Sequence, residues 1–320
     1  MEYKQLGKSP LEVSRIGFGA WAAGGGGWAF GLGPQDDAES ISAIRRAIDL
    51  GINWIDTAPL YGLGHSEQIV ARALDGLSDK PYVFTKCGMP WDAVGKITHN
   101  LRSESIRTEC ESSLRRLRTE CIDLYQIHWN KPAEQVDEAL RTLDDLHREG
   151  KIAHVGVSNF TRVELERAIS LTSLVSVQPP YSLLDREIEA EILPFCTQNS
   201  LGVIVYSPMK SGLLSGNMTA ATIPELPDDD LRKTKPEFQE PQLSSNLALT
   251  ARLRQVGGRY GRSAAETAVA WTLNNPAVTG TIVGLRRPQH VDGIIGAVEY
   301  RLSAADLAEI EGIVPVGAIA

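Results

Sequence analysis

Cysteine is scarce in this chain. Four occur in 320 residues, Cys87, Cys110, Cys121 and Cys196, and no two form a C-x-x-C pair. That spacing gives neither a disulfide framework nor a metal cluster, and it suits reduced thiols in a cytoplasm. A run of about 18 apolar residues is also missing, which excludes a spanning helix and a membrane partner of that kind. The opening MEYKQLGKSP lacks the charged segment and apolar core of an export signal. Basic residues are outnumbered, 32 to 40, for a formal charge of −8. This excludes a general nucleic-acid binder but leaves room for a local basic pocket around one phosphate. No H-x-x-x-H spacing marks a metal site, no internal repeat appears, and no Gly/Ser or Pro linker divides the chain. The expectation is a cytoplasmic protein with a single domain over residues 1–320 and no metal.

What the sequence does have is a rhythm. Apolar residues make up 42% and charged ones 22%, enough for one large core. Eight β-rich runs recur: RIGFG (15–19), INWID (52–56), YVFTK (82–86), DLYQIH (123–128), IAHVGVS (152–158), LVSVQ (174–178), GVIVYS (202–207) and TGTIVG (279–284). Helical spacing fills the gaps, as in residues 39–51, 105–118 and 135–150, with Gly51 and Gly150 placed as helix stops. Eight strands each feeding a helix predict a closed parallel (β/α)8 barrel, of α/β class; an open doubly wound sheet normally uses fewer. The first residues, YKQLGKSPLEV, predict a hairpin turning at Gly7–Pro10, outside the repeat and suited to plugging one end. Residues 216–246 break the rhythm with a polar, proline-rich stretch. A solvated loop and a lid are the two readings, the lid favoured by the habit of barrel-mouth loops to serve ligands.

In a parallel barrel the C-terminal strand ends converge on one mouth. Asp56, Lys86 and His128 end three consecutive runs, and Tyr61 lies on the loop after the first of them. Singly, each has a structural explanation: a turn cap, a surface charge, a core histidine. Together they outline acid catalysis. A free phenol titrates near 10, and an adjacent Lys86 ammonium is expected to lower that value. Asp56 would hold the lysine, and His128 would donate to the same substrate oxygen. Such a site protonates an oxygen as negative charge develops on it, which is what hydride addition to a carbonyl requires.

These four residues, in order and spacing, resemble the tetrad of the aldo-keto reductase superfamily. DTAPLYGLGHSE, FTKCG, DLYQIHW, GKIAHVGVSNF, VSVQPPYSLL and VYSPMKSGLLSG carry the resemblance through nearly the whole chain, within the bacterial and plant branch that has a long loop after strand seven. The resemblance implies a (β/α)8 barrel binding NAD(P)(H) extended, and reversible transfer of the 4-pro-R hydride to an aldehyde or ketone. It implies that Ser158, Asn159 and Gln178 clamp the nicotinamide carboxamide, that Tyr206 stacks on the ring, and that Ser207, Leu214 and Gly216 approach the pyrophosphate. The GLRRPQH segment resembles the adenosine-phosphate site, with Gly284 giving close backbone approach and Arg286 facing a 2′-phosphate. Arg286, Arg287, Lys233 and Lys235 favour NADP(H) over NAD(H). The family often carries glutamine where His290 stands, and an acid then asparagine where Gly293 and Ile294 stand. Residues 216–246 resemble the loop that folds over the cofactor.

Competing signals bear on this reading. GFGAWA (17–22) satisfies a dinucleotide fingerprint, but the AAGGGGWAFGLG that follows will not nucleate the helix that motif needs. It reads instead as a mobile loop at the mouth. Trp21, Trp28, Phe30, Trp91 and Trp129 follow strand ends and are candidate substrate walls, Trp129 first among them; aromatics there point to a rather apolar carbonyl. Two other functions fit parts of the pattern. One is a lyase forming a Schiff base on Lys86. The other is a redox-sensing subunit resembling channel-associated β subunits. The oxidoreductase accounts for more residues than either, and its partner is a small-molecule carbonyl or alcohol.

Overall fold

The computed structural model describes residues 1–314. The chain opens with an antiparallel hairpin, β1 (Tyr3–Gln5) and β2 (Glu12–Ser14). Eight parallel strands follow: β3 (Ile16–Gly19), β4 (Trp54–Asp56), β5 (Tyr82–Cys87), β6 (Ile122–Ile127), β7 (Ile152–Ser158), β8 (Leu174–Gln178), β9 (Gly202–Tyr206) and β10 (Gly280–Gly284). β10 pairs with both β9 and β3, so the sheet closes into a barrel. The architecture is the (β/α)8 barrel expected from the sequence. β4 is shorter than the run at 52–56: Ile52 N–H donates back to Ala47 O at 3.0 Å and Asn53 N–H to Ser14 Oγ at 3.2 Å, while the Asn53 side chain accepts from Ser14 N–H at 2.8 Å and donates to Glu12 O at 2.7 Å.

Helices α1 (Asp37–Asp49), α2 (His65–Leu74), α3 (Ser103–Leu117), α4 (Val136–Arg148), α5 (Arg162–Leu171) and α6 (Ile192–Asn199) each follow one strand. Two helices in succession, α7 (Gln242–Gly258) and α8 (Ala264–Asn274), precede β10, and α9 (Pro288–Asp292) and α10 (Ala304–Glu311) follow it. Their ends obey local chemistry. Asp36 caps α1 by accepting from Glu39 N–H, and Thr161–Glu164 and Ser263–Glu266 form reciprocal capping boxes. The glycines expected to stop α1 and α4 do so with positive φ, 90° at Gly51 and 75° at Gly150. In α4, Val136, Ala139, Leu140, Leu143 and Leu146 are buried, which is one helical stripe. Each such leucine contributes about 1.5–3 kcal/mol by leaving water.

The barrel interior is built in layers set by the two-residue period of a strand. Trp54, Phe84, Leu124, Ile204 and Ile282 form an apolar floor, and Leu6, Leu11 and Val13 of the hairpin close it from below. Two residues further along the same strands stand Asp56, Lys86, Gln126 and Tyr206. The polar layer therefore sits directly above the floor, toward the C-terminal mouth. Gly17 belongs to this packing: a Cβ there would lie 2.3 Å from the Trp54 indole. That explains the first glycine of GFGAWA without a phosphate, and only a short 3-10 turn, Trp21–Gly24, follows it.

The 216–246 stretch folds into two 3-10 turns, Leu231–Thr234 and Pro236–Phe238, and then enters α7. Its apolar residues Ile223 and Phe238 make a separate small core with Leu213 and Leu243. It also reaches across the mouth to the glycine-rich loop. Leu231 N–H donates to Gly31 O at 3.1 Å, and Asp229 Oδ2 accepts from Gly27 N–H at 3.1 Å. No helix among the described residues is long and apolar enough to cross a membrane.

Candidate active site

Lys86 is the hub of the polar layer. Its Nζ donates to Asp56 Oδ2 at 2.6 Å and to Thr57 O at 3.0 Å, and lies 3.5 Å from the Tyr61 hydroxyl. The other Asp56 oxygen accepts from Gln178 Nε2 at 2.7 Å and from Gln126 Nε2 at 3.3 Å. Gln126 carries no motif of its own; its place two residues before His128, in the run 123–128, is the signal in the sequence that points to it. The Tyr61 and His128 rings meet edge to face with centroids 5.9 Å apart. The imidazole has no hydrogen-bond partner among the described residues, whereas the His128 backbone is held by Cys87 O and Asn159 Nδ2. The four residues singled out in the sequence thus converge on one mouth.

The electrostatics differ from expectation at Tyr61. Burial, then the Asp56 carboxylate, push its pKa well above 10 rather than below it. The main reason is that full burial penalises the phenolate, and the nearby Asp56 carboxylate repels the same negative charge. Burial also lowers Lys86, against Asp56, and drives His128 well below 6.5 with Lys86 adding to the effect. At neutral pH the site therefore presents a protonated phenol and a neutral imidazole beside an internal ion pair. It can give up one proton to a strong base and offer one further N–H.

The positions expected to meet a cofactor surround this hub. Ser158 Oγ donates to Gln178 O at 2.7 Å, and Tyr206 OH donates to Asn159 Oδ1 at 2.8 Å. Gln178 Oε1 carries no hydrogen bond among the described residues, so an acceptor is free beside Asn159 and Tyr206. After β9 the backbone is strained: Ser207, Lys210 and Ser211 all have positive φ, ahead of Leu214 and Gly216. Such strain concentrates at ligand sites. Lys233 pairs with Asp228 at 2.9 Å. Gly284 has open space around it, and His290 Nδ1 accepts from Arg286 N–H at 3.4 Å.

Arg286 itself is engaged. Its Nε donates to Gln35 Oε1 at 2.6 Å, and its Nη atoms donate to the carbonyls of Leu32 and Pro34. Gln35 Nε2 returns a bond to Arg286 O at 3.0 Å. Of the aromatic candidates, Trp28 packs at 6.2 Å from the Tyr61 ring and Phe30 stacks edge-on against Trp28 at 6.0 Å. Trp21 donates to Phe30 O, and Trp91 lies under Arg116 at 5.8 Å. Trp129 is 36% exposed and faces Lys131, so it is not the ring against the phenol. Among the described residues no group of three His, Cys, Asp or Glu side chains is placed to hold a metal.

A closed parallel barrel with an acid–base cluster at the C-terminal ends of its strands defines an enzyme-type barrel. The Aldo/keto reductase family model matches residues 15–315, and the chain belongs to that family of nicotinamide-using oxidoreductases. It is 36% identical to the aldo-keto reductase YhdN of Bacillus subtilis, over 98% of this chain and 93% of that one. It is 34% identical to the NADH-specific methylglyoxal reductase of Escherichia coli, over 94% of each. Among solved structures, the glycerol dehydrogenase AKR11B4 from Gluconobacter oxydans superposes with a TM-score of 0.89 at 37% identity, covering 97% of this chain and 94% of that one.

Proposed function

We propose that this chain is a reversible NAD(P)(H)-dependent carbonyl reductase with Tyr61 as its general acid. The observation that carries the reading is the single cluster in which Lys86 Nζ joins Asp56 at 2.6 Å and Tyr61 at 3.5 Å. The nicotinamide, when bound, supplies the hydride. A carbonyl oxygen gains negative charge as the hydride adds, and an alkoxide is a far stronger base than phenolate. Tyr61, kept protonated by burial, surrenders its proton only to that base. Lys86 then faces the phenolate it leaves behind, and Asp56 keeps the lysine oriented. His128, neutral, donates an N–H to the same oxygen and polarises it.

On the cofactor side, Gln178 Oε1 and Asn159 present the amide chemistry a carboxamide needs, and Tyr206 presents a ring face. Arg286 is the residue to recognise a 2′-phosphate, with Arg232 nearby. NADP(H) is the preferred form on this reading and NAD(H) an accepted one. The preference is moderated because Arg286 must exchange Gln35 and two carbonyls for the phosphate. Methylglyoxal belongs in the assay panel beside bulkier apolar aldehydes, the latter because Trp28 and Phe30 wall the mouth. A Tyr61→Phe variant tests the reading. Carbonyl reduction falls by about 10²–10⁴ while nicotinamide binding, read by tryptophan quenching, is retained. A variant that still reduces carbonyls at the wild-type rate removes Tyr61 from this role.

A further inference from the structure

Two residues beyond Lys86 the chain turns at Gly88, whose φ is 94°. The turn buries amide groups that need an acceptor. Glu109, on α3 and only 7% exposed, provides one. Gly88 N–H donates to its two oxygens at 3.2 and 3.1 Å, Met89 N–H to Oε2 at 3.3 Å, and the Ser105 hydroxyl to Oε1 at 3.3 Å. The opposite pole of the Cys87–Gly88 peptide faces the site, where Cys87 O accepts from His128 N–H at 3.0 Å. One peptide group therefore ties the carboxylate to the strand end bearing Lys86 and to the backbone of His128.

We propose that Glu109 is a positioning residue for Lys86 and His128, acting through the Cys87–Gly88 peptide, so that hydride transfer follows the charge state of its carboxylate. The inference rests on the carbonyl-reductase reading. Ionised, Glu109 offers acceptors to both amides. Protonated, one oxygen becomes a donor, and the set of bonds to Gly88 and Met89 is weakened. The peptide is then free to rotate, and His128 and Lys86 lose a shared reference.

The surroundings place this change near neutrality. Burial pushes Glu109 up to about 7, against the amides, Ser105 and Arg116. The titratable groups facing it are Arg116 of α3, Cys87 of β5 and Tyr125 of β6, with Cys110 of α3 beside Cys87 and Tyr125 and Glu67 of α2 behind Arg116. Burial drives Cys87, Cys110 and Tyr125 upward, away from neutral pH. Arg116 is held by Glu67 at 2.6 Å. His128 is driven the other way.

The test is the single-turnover rate of carbonyl reduction under saturating nicotinamide and carbonyl, followed from about pH 5.5 to about pH 8.5. In the wild type the rate rises with pH through a limb near 7, the value at Glu109. In Glu109→Gln the rate is lower and flat through that window, with nicotinamide affinity retained. In Ser105→Ala, which removes one bond to the carboxylate from a half-buried position, the limb moves to higher pH. Ser105→Ala keeps the inference testable if Glu109→Gln does not fold. A limb absent in the wild type, unchanged in Glu109→Gln, or unmoved in Ser105→Ala overturns it. A wild-type chain that binds nicotinamide yet reduces no carbonyl removes the reductase reading instead, and this inference with it.

Discussion

The Lys86 ammonium meets the Asp56 carboxylate at 2.6 Å with the two side chains only 1% and 4% exposed. A pair this deep gains little over apolar packing, but breaking it from one side leaves an uncompensated buried charge. Gln126 and Gln178 raise the stakes, since both are oriented toward Asp56. Asp56→Asn is therefore expected to lower the unfolding free energy by about 3–5 kcal/mol. Asp56→Asn with Lys86→Met should recover a large part of that loss. Urea denaturation of the three chains measures it. An Asp56→Asn chain as stable as wild type would show that the pair is not what holds the polar layer.

The mouth makes a second prediction. Trp28 packs on Tyr61, whereas Trp129 turns to Lys131. Trp28→Ala is expected to raise KM for a bulky aromatic aldehyde about tenfold, equivalent to about 1.4 kcal/mol, and to change KM for methylglyoxal much less. Trp129→Ala should leave both near wild type. Steady-state kinetics with the two substrates decide the matter, and the reverse ranking would return Trp129 to the pocket wall.

Most of the barrel was legible because its grammar is local. Strand runs, helix stripes and the glycine stops at 51 and 150 each reflect neighbours a few residues apart. The convergence of Asp56, Lys86 and His128 was legible too, because closing a parallel barrel puts strand ends together whatever the side chains do. What could not be read were relationships between distant segments. Gln126 has a legible spacing to His128, but its partners do not: Gln178 reaches it from β8 and Asp56 from β4 only in the closed barrel. The direction of the Tyr61 shift is set first by how deeply the phenol is buried and then by the Asp56 charge, neither of which spacing encodes. Adjacency to His128 favours Trp129 as the wall, yet its ring lies by Lys131 and the ring beside the phenol is Trp28, from a distant loop. Gln35 carried no motif at all, and only the fold reveals that it grips Arg286.

That grip allows a third prediction. Arg286 bonds to Gln35, Leu32 and Pro34, so it supports the glycine-rich loop as well as facing the adenosine end proposed for the cofactor. Arg286→Ala is expected to raise KM for NADPH by at least about tenfold, in line with a lost charge-assisted bond of about 1.5–3 kcal/mol. KM for NADH should rise as well, by a smaller factor, through the loosened loop. Parallel titrations with both cofactors give the comparison. Equal increases would confine Arg286 to the loop and take it out of phosphate recognition.

Glu109 supplies the last prediction, on stability rather than rate. Burial pushes its carboxyl up to about 7 in the folded chain from an ordinary 4.5. Between those values the folded state holds a proton that the unfolded state has lost. Stability must then fall as pH rises through this window, and the full loss is in place above the folded value. A difference of that size corresponds to on the order of 3 kcal/mol. Glu109→Gln cannot titrate, so the decline attributable to this residue should vanish from its stability curve between pH 4.5 and 7. Urea unfolding at several pH values within the window compares the two chains. Parallel curves would mean that Glu109 ionises normally. A charge that weakens the fold while orienting Lys86 and His128 is the compromise expected of a residue kept for position rather than for stability.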